Sequence, residues 1–189
     1  MRLPNYRLGI VLAFLVQVGL LAWMVADRAL ILMNGKEIRL TVVPVDPHDL
    51  LRGDYVVLNY DISRLTNSML EGDDTFTAQD AIYVTLAESP EGLKATAIGH
   101  AAPAEGLFLK GMVRDLSDSG ACTGIQYCWI YTVDYNLEEF FVPEGTGKEL
   151  ETLRNDQRVS VDVAVGNDGR AALKRLLVDG EPRYQEGLY

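Results

Sequence analysis

From Leu8 to Ala26 the chain reads LGIVLAFLVQVGLLAWMVA, with no charge and with Gln17 as its most polar member. A helix of about 20 such residues crosses the hydrocarbon core of a bilayer, so the pattern predicts a membrane-spanning helix over 8–26. It has no polar face of the kind a buried helix in a soluble domain presents to water. Beyond it the period changes. Ile38, Leu40 and Val42 alternate with Glu37, Arg39 and Thr41, the signature of a half-buried strand. Pro44 and Pro47 end that strand, and Asp46-Pro47 followed by Gly53 predicts a single helical turn, with N-cap, first-turn proline and terminal glycine in order. The next extended run puts Val56, Leu58, Tyr60 and Ile62 on one face and Tyr55, Val57, Asn59 and Asp61 on the other.

Residues 63–80 are polar and read as irregular, with Gly72-Asp73-Asp74 as a loop tip. Ile82–Ala87 and Ala95–His100 read as a hairpin turning through Ser89-Pro90-Glu91-Gly92. Leu107–Leu116 is strand-like and Ser117-Asp118-Ser119-Gly120 is a turn; Ile125–Tyr135 is strand-like again. Thr146-Gly147-Lys148-Glu149 has the spacing of a capping box opening a short helix to about residue 155. Val159–Val165, alternating with Ser160, Asp162 and Ala164, then forms a closing hairpin with Ala171–Val178 through Gly166-Asn167-Asp168-Gly169. The expected fold is mainly β, an antiparallel barrel or sandwich with one or two short helices, preceded by one transmembrane helix; the alternation does not separate barrel from sandwich.

Three segments follow: a cytoplasmic N-terminus over 1–7, the anchor over 8–26 and a β-rich domain over 27–189. Arg2 and Arg7 precede the apolar stretch and Asp27 follows it, which points to a cytoplasmic N-terminus and a periplasmic or extracellular domain on the cytoplasmic (inner) membrane. The alternative is a cleaved signal peptide. Its apolar region is usually 7–15 residues long and ends in small residues at the cleavage site, and Met24-Val25-Ala26 is a poor match. Residues 27–189 carry all 27 acids and 15 of the 17 bases, a net of −12. Such a surface is repelled by nucleic-acid phosphates. Cys122 and Cys128, six positions apart in an oxidising compartment, read as a disulfide closing a small loop. Two histidines in the whole chain leave little for a zinc site, and nothing supports a nucleotide or other cofactor.

The stretch Gly53-Asp54-Tyr55-Val56-Val57-Leu58-Asn59-Tyr60 concentrates the candidate chemistry. Core packing accounts for Leu58 and Tyr60, and turn conformation accounts for Gly53. Arg52, Asp54 and Tyr55 are left over beside Asp46, His48 and Asp49. Together they read either as a salt-bridged, self-capped turn, the simpler reading, or as a binding surface for a polar ligand or partner. Glu144, between Pro143 and Gly145 ahead of the capped helix, is a further candidate carboxylate. No catalytic residue and no metal site is assigned. Gly145-Thr146-Gly147-Lys148 is not a phosphate loop, because residue 142 is Val and residue 149 is Glu. The Gly-Asp turn also resembles the active-site box of type I signal peptidases, but Val45 stands at the nucleophile position.

With Gly53, Asp54, Tyr55, Leu58 and Tyr60 all in place, the chain resembles a bacterial and archaeal family named for this motif, the GDYXXLXY proteins. The lead-in Pro44-Val45-Asp46-Pro47, the segment Phe141-Val142-Pro143-Glu144-Gly145 and the terminal Val178-Asp179-Gly180 strengthen the likeness. The resemblance implies a membrane-anchored protein, often encoded beside multi-spanning membrane proteins, and carries no activity with it. The expected function is therefore a non-catalytic accessory or binding subunit of a polytopic membrane partner, contacted through Arg52, Asp54, Tyr55 and Glu144. The alternative is an envelope hydrolase using carboxylates near Asp54 and Glu144.

Overall fold

The computed structural model describes residues 6–43, 55–67, 70–73, 75–90, 92–118, 129–141 and 146–185. The predicted helical turn after Asp46, the cysteine pair, and Arg52, Asp54 and Glu144 lie outside these residues.

A single helix, α1 (Tyr6–Asn34), opens the chain. Its Gly9–Asn34 portion is long and apolar enough to cross a membrane, and residues 9–26 are exposed along their whole length. This fits a single-pass membrane anchor. The helix runs eight residues past the span expected from the sequence. At 1.5 Å per residue, Gly9–Asn34 measures about 39 Å, more than the ~30 Å hydrocarbon core requires. Asp27 and Arg28 mark where charge begins, but charge does not stop a helix. Ala29, Leu30, Leu32 and Met33 favour its continuation. The stop comes at Gly35, whose N–H closes on the Ile31 carbonyl at 2.8 Å.

Among the described residues thirteen strands follow: β1 (Lys36–Val43), β2 (Tyr55–Val57), β3 (Asn59–Tyr60), β4 (Arg64–Thr66), β5 (Glu71–Gly72), β6 (Ala81–Ser89), β7 (Gly92–Gly99), β8 (Leu107–Asp118), β9 (Trp129–Asp134), β10 (Glu139–Phe141), β11 (Val159–Val165), β12 (Ala171–Val178) and β13 (Glu181–Gln185), with α2 (Gly147–Asn155) between β10 and β11. They form a five-stranded sheet in the order β13-β12-β11-β1-β3, a six-stranded sheet in the order β4-β9-β8-β6-β7-β5, and a two-stranded ribbon, β10-β2. All pairings are antiparallel except β5 with β7. Both sheets contribute to one apolar core, in which Val42, Leu58, Ile82, Val84, Leu109, Val161, Val163 and Leu176 are fully buried. A backbone bond from Lys110 N–H to the Gly169 carbonyl (2.8 Å) joins β8 to the β11–β12 turn. The fold is mainly β with few short helices, as the alternation predicts.

Several local expectations need correction. Residues 63–80 are not all irregular: β4 pairs with β9, and Glu71–Gly72 forms a short strand instead of a loop tip. Gly72 takes φ +105°, and a Cβ there would lie 2.1 Å from the Ile98 carbonyl oxygen, so only glycine lets β5 approach β7 this closely. Ser117 and Asp118 continue β8 rather than turning. Thr146 precedes α2 as expected but makes no side-chain cap. The chain also adds a strand beyond the expected last hairpin, through Asp179-Gly180 with φ of 53° and 83° at its turn.

The alternation of β11 conceals burial on both faces: Ala164, against which the end of α1 packs at Gly35, is fully buried, and Asp162 is nearly so. Asp162 holds Arg39 Nε at 2.8 Å and Arg175 at 3.1 Å. Burial pushes its pKa up, but the hydrogen bonds and charges of the two guanidinium groups prevail and keep it below the ordinary carboxylate range. A bulge opposite Asp162 and Val163 leaves Lys174 unpaired in the β11–β12 ladder, and both Lys174 and Arg175 reach Glu37 on β1. At the helix end, Asp27 grips Arg170 at 2.5 and 2.9 Å, and Arg28 donates to the Ala171 carbonyl at 3.0 Å. The anchor is thus bonded to the β domain after leaving the apolar span.

Candidate functional site

The motif strand changes partners at Leu58. Before it, β2 pairs with β10 in the ribbon, and after it, β3 pairs with β1 in the five-stranded sheet. Leu58 bridges the change, with its side chain in the core and its N–H on the Glu138 carbonyl at 2.7 Å. Tyr60 is 1% exposed and its hydroxyl donates to the Leu137 carbonyl at 2.6 Å. The reverse bond is also present: the Tyr135 hydroxyl donates to the Ile62 carbonyl at 2.7 Å. Two buried phenols therefore lock residues 60–62 and 135–137 to each other. Desolvation, and secondarily the Glu138 charge, raise both phenol pKa values well above the usual range, so both remain donors.

The partner loop is bent at Asn136, with φ +61°. The Glu138 carboxylate stabilises the bend by accepting the N–H groups of Tyr135 (2.6 Å) and Leu137 (2.8 Å). Burial raises the pKa of Glu138, and those backbone donors oppose the rise.

In the ribbon, Tyr55 pairs with Phe141, Val56 with Phe140 and Val57 with Glu139. The motif and the segment that leads to Glu144 therefore lie on neighbouring strands, although they are more than eighty residues apart in sequence. Val57, on the face opposite Leu58, is 39% exposed. Of the four residues proposed from sequence, only Tyr55 is described, in β2 and opposite Phe141, three positions before Glu144.

Sequence reasoning missed the residue that fixes this ribbon from behind. Arg154 on α2 is 1% exposed and donates Nη1 to the Val57 carbonyl at 2.8 Å. Its Nε and Nη2 lie 3.4 and 3.3 Å from Asn155 Oδ1. Leu150 is buried on the same helix and Leu153 is packed against the core. An arginine four residues after Leu150, on the apolar stripe of a short helix, was the available signal. Among the described residues, no group of three His, Cys, Asp or Glu side chains comes together as a metal site.

No curated protein and no solved structure matches the chain. The family described as GDYXXLXY protein matches over residues 17–176, from within α1 to Leu176 in β12. That match spans both signature segments, the locking tyrosines and Arg154, and the chain belongs to the GDYXXLXY family.

Proposed function

We propose that this protein is a non-catalytic accessory subunit, held in the cytoplasmic membrane by α1, that binds a multi-spanning membrane partner through a surface carrying Arg52, Asp54, Tyr55 and Glu144. The observation supporting it best is the pairing of Tyr55–Val57 of the motif with Glu139–Phe141, the strand that ends on the first residue of the second signature. Leu58 and Tyr60 have core duties that account for their presence, whereas, among the described residues, β2 and β10 pair with each other and with no third strand. A two-stranded ribbon is marginal by itself, and here Arg154 holds it against α2. Backing of this kind suits a recognition surface, which binds better when preorganised. The apolar, exposed stretch 9–26 of α1 supports a membrane setting. Arg2 and Arg7 favour an N-terminus inside and a periplasmic or extracellular β domain.

The test is purification of tagged full-length protein from its host in mild detergent, with mass spectrometry of what accompanies it. A stoichiometric polytopic protein, lost on Tyr55→Ala while the variant's thermal stability is kept, is the expected result. Recovery of the protein alone would defeat the subunit reading. A hydrolase would instead lose turnover, with folding intact, on Asp54→Asn or Glu144→Gln.

A further inference from the structure

A cavity of about 890 Å³ lies where α1 leaves its uncharged span and meets the β domain. Its helical wall runs from Met24 through Asp27 and Arg28 to Ile31, and its opposite wall is β8 around Lys110–Met112. Its remaining side is the loop at Tyr135–Glu138 that Tyr60 locks. The volume is in the range of small-molecule sites, roughly 300–1,000 Å³.

Depth and chemistry narrow the occupant. Residues 8–26 carry no charge and Asp27 and Arg28 are the first to do so, which places the cavity at headgroup level if α1 spans the bilayer. Met24 and Met112, 67% and 52% exposed, give it an apolar lip on both walls. Most of its charges already have partners. Arg170 is engaged with Asp27 and Asp168, Arg114 with Asp134 at 2.5 Å, and Glu138 with two backbone N–H groups. Two exceptions share the cavity. Lys110 stands 5.7 Å from the centre of the Tyr83 ring with no carboxylate partner, and Glu139 has no cationic partner, among the described residues. A cation and a carboxylate that make no ion pair among the described residues, beneath an apolar lip, fit a ligand carrying both charges and a hydrocarbon tail.

We propose that this cavity binds the headgroup of a zwitterionic aminophospholipid, with the phosphodiester at Lys110, the ammonium at Glu139 and the acyl chains leaving past Met24 and Met112. The proposal rests on α1 being a membrane anchor and is independent of any protein partner.

The test is native mass spectrometry of full-length protein, delipidated in detergent and titrated with phosphatidylethanolamine or phosphatidylglycerol of equal chain length. The wild type should prefer phosphatidylethanolamine by about threefold or more, the scale of one exposed ion pair. Glu139→Gln should abolish that preference, and Lys110→Ala should weaken both lipids by about threefold. Arg64→Ala, a charge-matched change on β4 outside the cavity, should behave as wild type. Equal binding of both lipids by the wild type, or binding unaltered in Lys110→Ala and Glu139→Gln, would overturn the proposal. Displacement of the lipid by an equal concentration of glycerophosphoethanolamine would reassign the site to a soluble phosphate and overturn it too. Extraction of cell membranes with alkaline carbonate separates the two failures: release of the protein defeats the anchor reading, and retention without lipid preference defeats the cavity proposal alone.

Discussion

Replacing Tyr60 with phenylalanine removes one oxygen atom from the most recognisable segment of the chain. The ring keeps its place in the core, but the Leu137 carbonyl loses a donor at 2.6 Å. Tyr60 is 1% exposed, so water has little access to take the hydroxyl's place. Losing the bond and leaving a buried acceptor unsatisfied costs about 2 kcal/mol. For a protein of this size that lowers Tm by about 4–8 °C. Tyr60→Ala also empties the ring's volume, and its cost rises to about 3–5 kcal/mol. Tyr135→Phe breaks the reciprocal bond to Ile62 and should match Tyr60→Phe. Because both bonds join the same two segments, the double variant should lose less than the sum of the singles, by about 0.5–1 kcal/mol. The assay is thermal unfolding of full-length protein in one detergent, followed by intrinsic fluorescence. Tyr60→Phe should leave recovery of the proposed membrane partner unchanged, in contrast to the loss expected for Tyr55→Ala. An unchanged Tm in Tyr60→Phe, or strict additivity with Tyr135→Phe, would refute the mutual lock.

Two further outcomes follow from the same packing. Asp162→Asn should cost about 2 kcal/mol at neutral pH, a figure discounted because Arg39 is largely solvated. The folded pKa of Asp162 lies below 3.8, so its contribution is complete above the unfolded value and fades as pH falls through the folded one. The Tm gap between wild type and variant should therefore narrow on acidification, and a gap independent of pH would count against the ion cluster. Gly35→Ala places a Cβ 2.5 Å from the Ile31 carbonyl oxygen and 3.0 Å from the Ala164 Cβ. It should destabilise by about 1–3 kcal/mol, and a variant as stable as wild type would show that the helix-to-strand turn relaxes freely.

The parts of this fold that could be read from sequence are those where neighbouring residues decide the outcome. The β6–β7 hairpin declares itself by alternation and a Pro-Glu-Gly turn, and the burial of Leu58 and Tyr60 follows from strand parity. What escaped notice depends on distant chain. Nothing near Tyr55 indicates that Phe141 is its partner. Glu71–Gly72 is too short to show a period, and it is a strand only because Ile98 lies alongside. Arg154 looks like an ordinary basic residue in a helix's last turn until the Val57 carbonyl is placed against it. The same limit applies to the candidate site: its anchoring residues were legible as core positions, whereas the ribbon that gathers the signatures was not.

The unbroken passage of α1 into the β domain has a mechanical consequence. Asp27–Asn34 rise about 12 Å beyond the uncharged span, and the bonds of Asp27 and Arg28 to Arg170 and Ala171 fasten this end of the helix to the β11–β12 hairpin. A tethered domain samples every azimuth above the bilayer, but a domain welded to its shaft keeps one heading. A rotation of this helix is therefore coupled to the β11–β12 hairpin it is bonded to, and through the sheet to the β domain.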